Sequence, residues 1–342
     1  MPSASRSPLV PLLPALLLAA LPAAAQDAGQ TIIDRATQPA AVPAPLPAAE
    51  TSRAAPGADT DAGTQRIAEP RALPFRVHAG LDQQFTATSN VFLSPDDETG
   101  ALLSTTTVSL GLDTLPVVVG EGRLVFSAAL VWQRTHHGLA TADQAIDDLD
   151  FDSWSLPLSA SYRWGRGWEA AAGFTVGSLY SVGDTPSHEL LYRSHVASLS
   201  LRKLTRLSDG LALSTGAGIS YADTKSDLGG VPALLRYRDD RNDRVDGSLH
   251  AALYAFRGPW TLVPALRLNY GHYLHWEEGG FNAQDRDDLV AGASLTLSYA
   301  FAKWGSVRAV ASYDVRESSG GFVDYDYSVG GFGLGLGLGL SF

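Results

Sequence analysis

From Phe75 onward the chain alternates. In residues 154–164, Trp154, Leu156, Leu158, Ala160, Tyr162 and Trp164 share one parity, while Ser153, Ser155, Ser159, Ser161 and Arg163 share the other. A period of two puts these sets on opposite faces of a β-strand. The same split recurs in TLVPALRLNY, LVAGASLTLSYAF and SVRAVASYDV. A chain that repeats this pattern must find something to lie against a continuous apolar face. That requirement restricts the fold more than any other feature.

The alternation breaks into 12 segments, near 75–88, 101–113, 122–134, 152–164, 168–180, 191–204, 211–222, 244–256, 260–273, 287–301, 305–316 and 326–342. The connections alternate in length. TLPVVVGE, GRG, TRLSDG, RGP and AKW are short, whereas THHGLATADQAIDDLD, DTKSDLGGVPALLRYRDDRND and HWEEGGFNAQDRD are long and acidic. An even number of strands, with short turns at one end and long loops at the other, is the pattern of a membrane barrel. A soluble sandwich would need a second sheet over the apolar face and would leave open edges. Aromatic residues also crowd the ends of the apolar face, at Trp154, Trp164, Trp168, Trp260, Tyr299 and Phe301. Such girdles belong at membrane–water interfaces. A backbone in hydrocarbon must pair all its polar groups, so the sheet has to close. The expected fold is therefore all-β, a transmembrane antiparallel up-and-down β-barrel of about 12 strands over residues 74–342.

The segment before the barrel has a different character. Residues 1–25 carry Arg6, then an apolar run from Leu9 to Leu21 interrupted by Pro11 and Pro14. The run falls short of the roughly 20 residues a spanning helix needs. Ala23 and Ala25 stand at the −3 and −1 positions of a cleavage site, so the segment reads as a signal peptide cut after Ala25. Residues 26–73 are rich in Ala and Pro and lack a period, which predicts a flexible periplasmic linker. Its short apolar patch, QTIIDRA, reads as a stray local cluster, with a docking peptide as the less favoured alternative. The segment is also too short for an autotransporter passenger. The chain has no cysteine, which excludes disulfides, thiolate metal sites, thiol catalysis and a lipoprotein anchor.

Over residues 75–342 the body resembles the Gram-negative outer-membrane β-barrels, of porin-like class. Members of that class commonly end in a recognition segment for the barrel-assembly machinery. Gly337, Leu340 and Phe342 fit its pattern, although Gly335 stands where a polar residue is usual. The stretch FTATSNVFLSPDD is similar to the first-strand ending of barrel porins encoded beside exopolysaccharide export systems. The resemblance implies a bacterial outer-membrane location with both termini periplasmic. It also implies outer-membrane lipid, lipopolysaccharide and the barrel-assembly machinery as partners.

Parity assigns a lumen face of small residues, such as Ser214, Gly216, Gly218 and Ser220, or Gly292, Ser294, Thr296 and Ser298. Arg76, Arg123, Arg163, Arg202 and Arg308 fall on that face near the short-turn end, with Arg267 deeper and Asp246, Asp288 and Asp314 toward the other end. These arginines are the candidate pore lining. They can select anions as a basic ring, or simply pair with acids such as Asp113 and Glu169. Pro157 and Pro264 sit inside strands and predict bulges, since a closed barrel has no edge for proline. From Gly331 to Gly339 the odd positions are bare, and glycine weakens a strand, so the bare wall needs a reason.

The sequence offers no catalytic site. Ser89–Asn90 faintly suggests a hydrolase pair, His136 and His137 lie beside acids, and His195 faces outward, but no Ser–His–acid spacing emerges. Asp143, Asp147, Asp148, Asp150 and Asp152 lack calcium-loop spacing and read as a solvated loop. No cofactor, metal or nucleic acid is assigned. The expected function is a channel for small hydrophilic solutes, anions or saccharides among them. The alternatives are an accessory barrel that anchors a periplasmic protein through residues 26–73 and, least favoured, an outer-membrane hydrolase.

Overall fold

The computed structural model describes residues 74–95, 98–139, 143–182, 190–226, 239–278, 282–283, 285–320 and 325–341. The signal segment with Ala23 and Ala25, the linker 26–73 and the terminal Phe342 lie outside the described residues. The elements run β1 (Phe75–Thr88), β2 (Ala101–Thr114), β3 (Val117–Val119), β4 (Gly122–His136), α1 (Gln144–Asp147), β5 (Phe151–Trp164) and β6 (Trp168–Ser181). Then follow β7 (Leu190–Ser208), β8 (Leu211–Ser226), β9 (Arg244–Arg257) and β10 (Trp260–Tyr273). The small strands β11 (Glu277–Glu278) and β12 (Asn282–Ala283) precede β13 (Arg286–Ala302), β14 (Gly305–Ser319) and β15 (Tyr327–Ser341).

Twelve long strands pair antiparallel with their chain neighbours, β2 passing over β3 to β4 and β10 over the β11–β12 hairpin to β13. Strand β15 returns to pair with β1 from His78↔Ser341 to Thr88↔Gly331, and the sheet closes. The result is a transmembrane antiparallel barrel of twelve strands, as the alternation required. One turn holds an addition: Val117–Val119, inside the short TLPVVVGE connection, folds back on β4 as an extra arm.

The prolines behave differently from the expectation of bulges. The β4–β5 register runs from Ala128↔Leu158 to Val131↔Ser155 without a shift, and β9–β10 keeps its register from Leu262↔Ala255 to Ala265↔Ala252. The ladder skips the pairs around Pro157 and Pro264, which lack an N–H, and then resumes. Register shifts occur instead at Leu179/Tyr180, Arg206/Ser208 and Ala300/Ala302, near strand ends.

The outer wall carries the apolar parity. Leu110, Leu199, Leu266, Leu295 and Phe332 are exposed, Leu266 to 64%. In water so large an apolar surface would not persist; in a bilayer it is the solvated face. Along β13 the outward row runs from Leu289 to Phe301, which at about 3.3 Å per residue and about 40° of tilt spans about 30 Å of height. That matches an apolar band of about 25 Å with its interfacial margins. Ring pairs mark the rim at the short-turn end, with Trp164 and Trp168 6.4 Å apart, Trp260 and Tyr299 4.7 Å, and Phe301 and Trp304 5.6 Å. Trp132 and Trp154, 6.3 Å apart, lie toward the loop end. Among the described residues no helix is long and apolar enough to cross a membrane, so the crossing elements are strands.

Three buried apolar clusters occur among the described residues, the smallest being Leu93 with Tyr327 and Val329. Tyr254, with Ala212, Ala252 and Val263, packs on the inner wall toward the turn end. At the loop end Val91, Ile146, Leu149, Phe151, Leu179, Leu191 and Tyr192 form a small buried core. Its members come from the β1–β2 connection, from α1 and from the ends of β5 to β7. The described parts of the β1–β2 and β4–β5 connections therefore pack on each other and on the ends of β5 to β7.

Candidate functional site

The lumen arginines are not a ring at one height. Register pairing places Arg123 opposite Arg163, Arg163 opposite Glu169 and Glu169 opposite Arg202. The row continues through Gly216, His250, Arg267 and Gly292 to Asp314. Barrel strands tilt, so a row perpendicular to them climbs the wall. Arg163 is next to Trp164, the last residue of β5, whereas Asp314 lies nine residues beyond Gly305, the first of β14. One charged stripe thus winds from the turn end into the upper half of the lumen.

Within the stripe, Glu169 Oε2 accepts from Arg163 Nε at 2.5 Å and from Arg202 Nη2 at 3.0 Å. Arg267 Nη2 meets Asp314 Oδ1 at 2.7 Å, and both side chains are nearly buried. Four guanidiniums face two carboxylates, a net charge of +2 in a chain whose formal net charge is −11. Arg123 is exposed and has no acidic partner among the described residues. The glycines in the stripe are spacers. A Cβ on Gly292 would come within 2.7 Å of Arg267 Nε, so the bare residue lets Arg267 reach over its own neighbour to Asp314 on the next strand.

The remaining candidate arginines lie elsewhere. Arg76 stands opposite Asp113 in register, and the His78 ring lies 3.7 Å from the same acid. Arg308 leaves β14, crosses Gly335 of β15 and donates to Asp82 and Gln84 of β1. Parallel to the charged stripe runs a smooth one: Ser127, Ser159, Gly173, Ser198 and Ser220 succeed one another in register and lead to Asp246.

At the top of the smooth stripe a cavity of about 400 Å³ opens between Tyr192, Ser220, Arg244, Asp246, Asn269 and Arg316. Next to it, sharing Tyr273 and Asp288 with its lining, is an arginine cage. Arg286, fully buried, donates from Nε and Nη2 to the two oxygens of Asp288 at 2.8 and 2.7 Å. Its guanidinium lies 4.6, 4.2 and 4.0 Å from the rings of Tyr273, Trp276 and Tyr325. Arg316 lies over Tyr327 at 4.4 Å. Parity reading missed Arg244, Arg286 and Arg316. They stand at the loop-end limits of their strands, where lumen and loop chemistry merge and the sequence pattern fades. His250, mid-strand on the inner parity, was open to the same reading that found Arg267.

The suspected catalytic residues have structural tasks. Ser89 Oγ accepts from Gly330 N, and Asn90 donates to the Ser94 and Ser328 carbonyls, so the pair clips the β1–β2 connection to β15. His136 and His137 both contact Asp150, and His195 faces outward, stacked on Phe174 and 3.5 Å from Asp223. The acidic loop is not simply solvated: Asp143 caps α1 through Ala145 N, and Asp152 holds Arg134 at 3.0 Å.

No protein-family model and no curated protein matches the chain. Among solved structures it is similar to an outer-membrane channel from Pseudomonas putida F1, with 12% identity and a TM-score of 0.48 over 82% of this chain and 100% of that one. It is also similar to the β domain of the Bordetella autotransporter BrkA, with 14% identity and a TM-score of 0.42 over 76% and 98% of the two chains. A third is the KdgM porin, at 10% identity and a TM-score of 0.38 over 76% and 98%.

Proposed function

We propose that the chain is an outer-membrane channel that passes small hydrophilic solutes and favours anions, saccharides with acidic groups among them. The single observation behind this reading is the stripe from Arg123 to Asp314, a continuous inward path whose guanidiniums outnumber its carboxylates. A basic lining at close quarters lowers the electrostatic barrier to an anion and raises it for a cation. The hydroxyl and glycine stripe beside it presents hydrogen-bonding groups without bulk, which suits sugars. In this reading the short turns and both termini face the periplasm, and the loop end with its apolar core faces outward and narrows the mouth.

The test is conductance of the purified protein in planar bilayers, with and without residues 26–73. Expected are discrete current steps and, across a KCl gradient, a reversal potential displaced toward chloride. A silent bilayer with both forms overturns the channel and favours the accessory barrel, which predicts a periplasmic protein that co-purifies only when residues 26–73 are present.

A further inference from the structure

The turn that leads into β9 and the residues that follow β10 meet at the loop end. Leu274 N donates to the Asp243 carbonyl at 2.8 Å, and Asp243 N donates to the Asp240 carbonyl at 3.0 Å. This contact brings Asp240, Asp243 and His275 together, with one ligand atom from each lying within 4.8 Å of the others. We propose that Asp240, Asp243 and His275 form a Zn²⁺ site that clips these two connections to each other.

The environment of Asp243 argues for a cation more than the grouping does. The residue is only 5% exposed. Its Oδ1 accepts from Thr224 N at 2.6 Å and from Thr224 Oγ1 at 2.8 Å. Two donors thus hold the carboxylate in one orientation, as outer-shell partners hold metal ligands. Its Oδ2 takes no hydrogen bond among the described residues, and neither does the His275 ring.

The donor set chooses the ion. One imidazole and two carboxylates, with a fourth position for water, suit Zn²⁺, whereas Ca²⁺ and Mg²⁺ favour oxygen-only shells. Tetrahedral bonds of about 2.0–2.1 Å hold donors about 3.3 Å apart. Rotation of the Asp240 and His275 side chains toward the fixed Asp243, closing the donor separations by up to about 1.5 Å, completes the site. The pairing is invisible in sequence, because His275 follows Asp243 by more than thirty residues and two strands intervene.

The experiment is calorimetric titration of the full chain, without a polyhistidine tag, in detergent micelles, using Zn²⁺ alone and Ca²⁺ alone. One equivalent of Zn²⁺ is expected to bind, with Ca²⁺ much weaker. His275→Ala and Asp240→Asn should each weaken Zn²⁺ binding by at least the roughly 10–100-fold that loss of an outer-shell partner costs. Both positions lie outside the barrel strands, so folded migration on unheated gels should be unchanged. Zn²⁺ binding that survives both substitutions, a wild type that takes up no Zn²⁺, or a preference for Ca²⁺ would each overturn the site.

Discussion

Arg308 of β14 donates to Asp82 of β1 at 2.5 Å, across the intervening strand β15, and it can do so because residue 335 has no side chain. A Cβ at Gly335 would meet Arg308 Nε at 2.9 Å. The glycine-rich last strand is thus a bare saddle over which the closing seam is tied. Replacing Gly335 by Ala should displace the guanidinium, while Gly339→Ala, whose Cβ would touch only the Ala79 carbonyl at 3.9 Å, should be neutral or gain the ~0.5–1 kcal/mol that Gly-to-Ala gives in a strand. Arg308→Met should cost about 1–2 kcal/mol, less than a fully buried pair because both side chains are about a third exposed. The urea midpoint of each variant folded into lipid vesicles reads these differences. Equal midpoints for Gly335→Ala and Gly339→Ala would refute the saddle.

How legible was this in the sequence? The barrel was, because a period of two is a property of each strand by itself. Leu289 to Phe301 announces its face without knowledge of β10 or β14. The stripe was only half legible. Parity identifies Arg163, Arg202 and Arg267 as inward, but which of them share a row depends on register between strands. The prolines misled because an unpaired rung satisfies the missing N–H as well as a bulge does. The loop-end core was hidden because Ile146 and Leu149 stand among acids, and two apolar residues in a long acidic loop look incidental until Val91 and Leu179 are brought to them.

Charge in the stripe can be changed without breaking a pair at Arg123, which is exposed at the turn end. Arg123→Glu takes the net charge of the stripe from +2 to zero. Anion preference should fall, read as a reversal potential moving toward zero, and the change should shrink in high salt, where the Debye length drops to about 3 Å at 1 M. An unchanged reversal potential would remove the stripe from the selectivity path.

Arg267 and Asp314 call for a different experiment, because both are nearly buried. Arg267→Gln removes the guanidinium that faces the nearly buried Asp314 carboxylate and should destabilise the barrel by about 3–5 kcal/mol. The joint replacement Arg267→Met with Asp314→Leu should recover most of that loss, since neither charge is then stranded. Urea unfolding of the two singles and the double gives the coupling. Additive losses would mean that the two charges do not depend on each other.

Leu149 is fully buried in the loop-end core with Val91 and Ile146. Leu149→Ala should cost that core about 2–5 kcal/mol. Only the loop-end tips of β5, β6 and β7 reach it, so the loss should appear locally, as faster proteolysis near residues 137–150 and larger conductance steps, with the global unfolding midpoint little changed. Wild-type proteolysis rates in this variant would show that the core does not hold the loops over the mouth.

The cage around Arg286 separates the role of charge from that of shape. A lysine there keeps the charge, but it cannot make the two parallel bonds to Asp288 or lie flat among Tyr273, Trp276 and Tyr325. If the cage depends on the planar fork, Arg286→Lys should be nearly as damaging as Arg286→Met, each by about 2–4 kcal/mol at the loop end. If charge alone mattered, lysine would rescue. Hydrogen exchange distinguishes the two, because the cage joins the start of β13 to the end of β10 and the start of β15. Protection should fall around residues 273–276, 286–288 and 325–327 in both variants, while the turn-end halves of the same strands, paired far from the cage, keep theirs. Full protection in the lysine variant would reduce the cage to a simple ion pair.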